Sequence, residues 1–290
     1  MIQNNTQTTI TQEELDSFIS ILTERTGIVP RSTHRDGIKS YIEKTISEKK
    51  ISVMDYKNSI LINPSLFSKF VNESTVNETY FFREEKQFAF LQNKIFPRWR
   101  MLKPNDEIKI WSAACSYGEE AYSLAVLAKY CGLKPRVTAS DINSEVLEHC
   151  KNGLFLGTSL RSVDGTSFQQ LVLPFRRADG RVEFKDDIKQ CINTMQLNLS
   201  ELDSPLSAAL LPKNQNIIFL RNVFIYFNQE LRARILNTLT SKCLADDGLL
   251  FVSMSEIAQL DLSIIPPSLE KIVDGNIFYF HKKIGGTANG

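Results

Sequence analysis

Two adjacent acids, Glu119 and Glu120, follow a turn of small residues, Ser112-Ala113-Ala114-Cys115-Ser116-Tyr117-Gly118, and open an apolar helical run to about Tyr130. Ile108-Lys109-Ile110-Trp111, just before the turn, reads as a short strand. Open α/β sheets bind ligands beyond the carboxyl ends of their strands, so this strand–turn–helix is the first place to look for chemistry. The turn lacks the G-x-G-x-x-G fingerprint and holds only Gly118, which disfavours a dinucleotide whose pyrophosphate needs close glycine approach. The two carboxylates stand where that anion would dock and would repel it. A cationic or zwitterionic ligand suits the place better.

Asp141 ends a second strand, Arg136-Val137-Thr138-Ala139-Ser140. An acid there typically accepts hydrogen bonds from ribose hydroxyls. It can equally cap a following helix, and the helix expected from Ser144 to about Lys151 keeps that alternative open. Taken with the turn, a ribose without a pyrophosphate suggests S-adenosylmethionine. Two further segments bring polar groups toward the same edge. In Asn77-Glu78-Thr79-Tyr80-Phe81-Phe82-Arg83, three aromatics that read as core are bracketed by Asn77, Thr79 and Arg83. Arg221-Asn222-Val223-Phe224-Ile225-Tyr226-Phe227 follows the strand Asn216–Leu220, so its Arg-Asn pair is either a ligand contact or a capped loop with a surface arginine.

The elements that position these residues fall into two groups. Residues 1–10 read as a flexible tail. Residues 11–75 read as a small helical domain: a capping box at Thr11 and Glu14 before Leu15, Phe18, Ile19 and Leu22, a break from Gly27 to Pro30, then helical spacing over 36–48, 53–62 and 64–72. Residues 76–284 read as an α/β domain with a parallel sheet. Within it, Glu84–Phe96 is an amphipathic helix stopped by Pro97. Arg181–Phe184 and Cys191–Met195 are expected as antiparallel strands of a small subdomain over about 174–196. A helix follows from Asn228 to about Leu244, Asp246-Asp247-Gly248 reads as a turn, and Leu249–Ser253 and Ile277–His281 are expected as antiparallel neighbours before a loose tail at 285–290.

Composition excludes several classes. In 290 residues, 34 Lys and Arg against 33 Asp and Glu leave a net charge of +1, unlike a chain built to neutralise nucleic-acid phosphates. No apolar run approaches the roughly 20 residues that span a bilayer, and the polar start MIQNNTQTTITQEE carries no export signal, so a cytoplasmic location without membrane insertion is expected. The five cysteines form no C-x-x-C pair and the three histidines are scattered, so no metal site is expected.

Asn77–Arg83, Ser112–Ser123, Ala139-Ser140-Asp141-Ile142, Asn198-Leu199 and Arg221–Phe227, in this order and spacing, resemble the CheR-type chemotaxis receptor methyltransferases, and the likeness runs from about residue 13 to 282. The resemblance implies a helical amino-terminal domain and a Rossmann-like S-adenosylmethionine-dependent methyltransferase domain carrying a small β-subdomain. It implies methyl transfer from S-adenosyl-L-methionine to glutamate side chains on the cytoplasmic helices of chemoreceptors, giving methyl esters and S-adenosylhomocysteine for sensory adaptation. The cofactor contacts it implies are Asn77, Thr79, Arg83, Glu119, Asp141, Asn198, Leu199, Arg221 and Asn222. Tyr226 falls on the family tyrosine near the reacting centre, and Arg83 and Tyr226 are the implied catalytic pair. Glu119 would meet the cofactor ammonium, Asp141 the ribose, and Arg83 either the cofactor carboxylate or the incoming glutamate. In some relatives the β-subdomain holds a receptor carboxyl-terminal peptide, the task that would fall here to 174–196. One departure stands out: the helical domain often carries an arginine-rich helix, whereas residues 11–75 hold nine basic and nine acidic side chains. The competing readings are a methyltransferase acting on another protein or a small carboxylate, and a non-catalytic signalling module.

Overall fold

The computed structural model describes residues 9–161, 167–257 and 260–283. The two expected tails lie outside the described residues, apart from Thr9 and Ile10. Ile10 is no loose end: its side chain is buried and its N–H donates to Glu43 Oε1 at 3.0 Å. The chain divides into two compact units, Met1–Val76 with Tyr226–Asn228, and Asn77–Ile225 with Gln229–Gly290.

The first unit is built from helices Gln12–Thr26, Ser32–Lys49, Val53–Ile62 and Pro64–Ser74. The capping box forms as its sequence requires: Thr11 Oγ1 accepts the Glu14 N–H at 3.1 Å and Glu14 accepts the Thr11 N–H at 2.8 Å. Gly27 ends the first helix in the left-handed conformation, φ 72°, which glycine adopts without steric cost. Leu15, Phe18, Leu22, Ile38, Ile42, Tyr56, Ile60 and Phe70 form its buried side. On the second helix Lys39 lies 3.8 Å from Glu43 and Lys44 3.9 Å from Glu48, so these lysines stand in ordinary i,i+4 pairs with acids and not in an unbroken basic stripe.

The second unit is a Rossmann-like α/β domain. Its strands are β1 (Glu107–Ala113), β2 (Lys134–Asp141), β3 (Leu154–Phe155), β4 (Val182–Glu183), β5 (Ile192–Gln196), β6 (Gln215–Leu220), β7 (Leu244–Phe251), β8 (Leu269–Asp274) and β9 (Ile277–Lys282). The main sheet runs β5-β2-β1-β6-β7-β9-β8. Its first five strands are parallel, and β9 and β8 are antiparallel additions. Ile108, Ile110, Trp111, Val137, Ala139, Ile217 to Leu220, Leu250 and Phe251 are buried, as expected of parallel strands covered on both faces. The chain winds from β1 outward through β2 and β5, then from β6 outward through β7. The winding therefore reverses between β1 and β6, at whose carboxyl ends an open α/β sheet leaves its crevice.

Three expectations need correction, and one strand went unforeseen. Pro97 does not stop the helix before it: Glu85–Phe90 continues through a π turn, Leu91–Ile95, into Phe96–Leu102. The wide turn bonds the Phe96 N–H to the Leu91 carbonyl, placing Pro97 at the start of a new segment, where its missing N–H costs little. The 191–195 segment is not the antiparallel partner of 181–184. As β5 it pairs in parallel with β2, from Val137 opposite Ile192 to Asp141 opposite Gln196. The partner of β4 is β3, and these two form a separate small antiparallel sheet. Asp246-Asp247-Gly248 is no chain reversal but an irregularity inside β7, with Asp247 at φ 62° and the β6–β7 register shifting beside it. Finally, β8 was not anticipated; it forms a hairpin with β9 around Gly275.

Candidate cofactor site

The turn between β1 and the helix Glu119–Tyr130 is tightly wound. Ala114, Ser116 and Gly118 have φ of 63°, 53° and 104°. Left-handed non-glycine residues cost on the order of 1–3 kcal/mol each and persist where the surroundings enforce them. Here β2 does so: the Cys115 N–H donates to the Ser140 carbonyl at 2.9 Å and the Ser116 N–H to Asp141 Oδ2 at 2.8 Å. Gly118 has a second constraint, because a Cβ there would lie 2.4 Å from Cys150 Sγ and 2.9 Å from Cys150 Cβ. Gly118→Ala is therefore expected to destabilise the fold by about 2–4 kcal/mol, through backbone strain plus overpacking. Urea unfolding checks this, and a loss under 0.5 kcal/mol would contradict it.

Asp141 is buried, and burial pushes its carboxyl above the usual aspartate range while backbone donors pull it back. Oδ1 accepts the Asn143 N–H at 3.0 Å. The helix Ser144–Asn152 is capped by Asn143, which accepts from Glu145 and Val146, so Asp141 is not its N-cap. Oδ2 thus takes Ser116 and Oδ1 takes Asn143, with the Ile142 N–H a further backbone donor, and a carboxylate can accept about four hydrogen bonds in all. The Leu197 N–H donates to the Asp141 carbonyl at 2.9 Å, which brings the next segment to the same edge. There Asn198 Oδ1 accepts from Ser200 N at 3.0 Å and caps a short turn in which Leu199 is buried.

The paired acids have different fates. Glu120 accepts from Ser112 Oγ at 2.6 Å and lies 3.5 Å from Arg221 Nη1. Glu119 is 3% exposed; Oε1 accepts from Ser159 Oγ at 2.7 Å, while Oε2 is buried with no hydrogen-bond partner. Burial raises both carboxyls above the usual glutamate range, offset at Glu119 by Ser159 and at Glu120 by Arg221. The expectation that both acids face a ligand thus narrows to one, Glu119.

The 77–83 segment is clamped onto this helix. The Phe82 N–H donates to Ser123 Oγ at 2.9 Å, and that hydroxyl donates to the Glu119 carbonyl at 2.6 Å. The Phe81 N–H donates to the Ser159 carbonyl at 3.0 Å. Phe81 packs edge-on to Phe155 and Phe184, and Phe82 packs against Phe88 and Phe168, so these two aromatics are core. Asn77, Thr79 and Arg83 are half-buried beside them. Arg83 Nη1 donates to the Glu78 carbonyl at 2.8 Å. Arg221, its side chain 2% exposed, sends Nη2 to the Arg83 carbonyl at 2.5 Å and lies over Phe88 and Phe219. Its internal role is thus to neutralise Glu120 and fix the Arg83 backbone.

Asn222 is held in a left-handed conformation, φ 57°, by a residue the sequence reading missed. Buried Glu256 accepts the N–H groups of Asn222 at 2.8 Å, Ile225 at 3.3 Å and Ser253 at 3.3 Å. No local signal marks it, since a lone acid in Ser-Met-Ser-Glu reads as a surface loop. Tyr226 belongs to the helical unit, where its carbonyl accepts the Val29 N–H at 2.9 Å and its ring lies 6.2 Å from that of His34.

A buried carboxylate oxygen without a donor is costly and calls for an explanation. Glu119 Oε2 needs a cationic or hydroxylic donor, and Ser116 Oγ is likewise buried without a hydrogen bond. With the acceptor capacity left on Asp141, this set fits a ligand carrying an ammonium and a ribose diol and lacking a diphosphate, as S-adenosylmethionine does. Among the described residues no cluster of metal-ligating side chains occurs, and no helix is long and apolar enough to cross a membrane.

Comparison with known proteins points the same way. Residues 77–263 match the family described as CheR methyltransferase, SAM binding domain. The chain is 34% identical to chemotaxis protein methyltransferase 1 of Vibrio cholerae, covering 87% of this chain and 91% of that one. It is 29% identical to the chemotaxis protein methyltransferase of Borreliella burgdorferi, over 87% and 90% of the two chains. It is 31% identical to that of Escherichia coli, over 81% of each.

Proposed function

Because this chain belongs to the CheR methyltransferase family and is an S-adenosylmethionine-dependent methyltransferase, we propose that it esterifies glutamate side chains on the cytoplasmic helices of chemoreceptors. The observation that carries the proposal is the buried Glu119 with its one unpartnered oxygen, an acceptor suited to the cofactor's ammonium. Asp141 takes the ribose hydroxyls, and Asn77, Thr79, Asn198, Leu199 and Asn222 line the remainder. Arg83 orients a carboxylate, that of the cofactor or of the incoming glutamate, with its planar fork.

When bound, S-adenosylmethionine supplies a methyl group on a sulfonium, an activated donor. The protein's own task is alignment. A glutamate side chain has a reference pKa of about 4.3 and arrives ionised at pH 7, so no general base is required. Fixing carboxylate and methyl donor in line can lower the barrier by up to about 7–11 kcal/mol. The rigidly bonded turn, the Asn77–Arg83 clamp and the Glu256-held loop supply such fixed geometry.

The test is transfer of labelled methyl to receptor-containing membranes. The expected product releases labelled methanol in base, as methyl esters do; a base-stable product would contradict glutamate esterification. A second reading, with another protein or a small carboxylate as acceptor, is favoured by the balanced charge of residues 11–75 and the internal pairing of Lys39 and Lys44. Label appearing only on a partner other than the receptor would select it. Binding of a receptor tail by the β3–β4 region belongs to the same proposal and is tested by whether deleting the tail slows methylation.

A further inference from the structure

Glu119 does not hold its own position. Its Oε1 is engaged by Ser159 Oγ, which leaves Oε2 alone to meet a ligand. Ser159 is itself buried, and three elements fix it. Its carbonyl accepts the Phe81 N–H at 3.0 Å, and its N–H donates to the Leu156 carbonyl at 3.0 Å. Two residues earlier, Gly157 packs so closely on the small-sheet turn that a Cβ would lie 2.7 Å from the Gly180 carbonyl oxygen. Two residues later, Arg161 pairs with Glu78 at 2.9 Å and lies over Tyr80 at 4.9 Å. The segment that continues β3 thus ties both the Asn77–Arg83 clamp and the small sheet to one side of the Glu119 carboxylate.

We propose that Ser159 is a positioning residue for the cofactor: its hydroxyl engages Glu119 Oε1 so that Oε2 alone faces the ligand's ammonium. This rests on the reading that Glu119 receives the ammonium. A hydroxyl that donates to a carboxylate favours its charged form. Burial alone pushes the Glu119 carboxyl up, and Ser159 is the side chain that opposes this. The other charged groups of the packed elements are already engaged. On the same helix Glu120 is paired with Arg221 and also feels Arg83 and Glu84, while Asp141 of β2 is bonded to Ser116 and Asn143 and Arg161 is paired with Glu78.

The sign follows directly. An ionised Glu119 binds the ammonium and a protonated one does not, so cofactor affinity falls as pH drops through the Glu119 pKa. Losing the Ser159 donor raises that pKa and moves the acid limb to higher pH. The test is calorimetric titration of S-adenosylhomocysteine from pH 5.5 to 8.5 with wild type, Ser159→Ala, Ser159→Thr and Glu119→Gln. Ser159→Ala is expected to weaken binding several-fold at pH 8.5, where the orientation is lost, to shift the acid limb upward by about one pH unit, and to be restored on both counts by Ser159→Thr. Gly157→Ala, which displaces the segment but keeps the hydroxyl, is expected to shift the limb the same way. An acid limb for Ser159→Ala that superimposes on wild type, while Glu119→Gln binds at least tenfold more weakly at pH 8.5, overturns the role of Ser159 alone. Wild-type affinity for Glu119→Gln at every pH overturns the reading of Glu119, and this inference with it.

Discussion

Arg221→Met is expected to lower folding stability by about 3–5 kcal/mol, because it strands a carboxylate inside the protein. Arg221 is 2% exposed and Glu120 15%, their charged atoms lie 3.5 Å apart, and what else supports the Glu120 charge is the Ser112 hydroxyl and the weaker field of Arg83. Without Arg221, burial dominates and the Glu120 carboxyl rises further above the ordinary glutamate range. An acid whose folded pKa lies above its unfolded value loses stability as pH rises through that window. The deficit is therefore expected to be larger at pH 8 than at pH 5. Adding Glu120→Gln removes the stranded charge and is expected to restore more than half of the loss. Urea unfolding of both single variants and the double variant measures this coupling. A deficit under 1 kcal/mol, or one independent of pH, would show that the pair does not carry the role assigned to it.

Asp141→Ala is expected to weaken S-adenosylhomocysteine binding by about 100-fold or more. Hydrogen bonds to a charged acceptor contribute on the order of 1.5–3 kcal/mol, and a tenfold affinity change corresponds to about 1.4 kcal/mol. The proposed function gives the carboxylate the ribose hydroxyls in addition to its observed tether on the left-handed Ser116 through that residue's N–H. Asp141→Asn separates them: it keeps one acceptor oxygen, loses the charge, and is expected to fall between wild type and Asp141→Ala. Titration calorimetry at pH 7.5 reads all three. Unchanged affinity in Asp141→Ala would leave Asp141 as a loop fastener only.

The parallel sheet was legible because its strands are nearly continuous apolar runs followed by helical periodicity, and Ile108–Trp111 and Asn216–Leu220 both lie in buried strands. The misread parts share a physical cause, which is dependence on partners distant in sequence. Ile192–Gln196 is a half-exposed edge strand, and its alternating polar residues fit a hairpin as well as the parallel neighbour it has in β2. Leu269–Asp274 exposes half of its side chains and buries only Leu269, so its pattern is weak, although Asp274-Gly275 is a hairpin turn signal. Pro97 ends a regular helix but not one that widens to a π turn just before it. At the site, residue types in motif order named Glu119 and Asp141. They could not show that Glu120 is consumed by Arg221, that Asn143 takes the capping role from Asp141, or that Glu256 holds the Asn222 loop through backbone N–H groups. Such contacts carry no local sequence signature.

The central claim is that the crevice at the carboxyl ends of β1, β2 and β6 seats a sulfonium nucleoside through one buried glutamate and one buried aspartate. A crystal structure of the protein soaked with S-adenosylhomocysteine tests it most directly. The account predicts the ligand's ammonium within about 3.2 Å of Glu119 Oε2 and its ribose hydroxyls at a similar distance from the Asp141 carboxylate. Saturating ligand that leaves this crevice empty, or binds with its amino acid end away from Glu119, would contradict it.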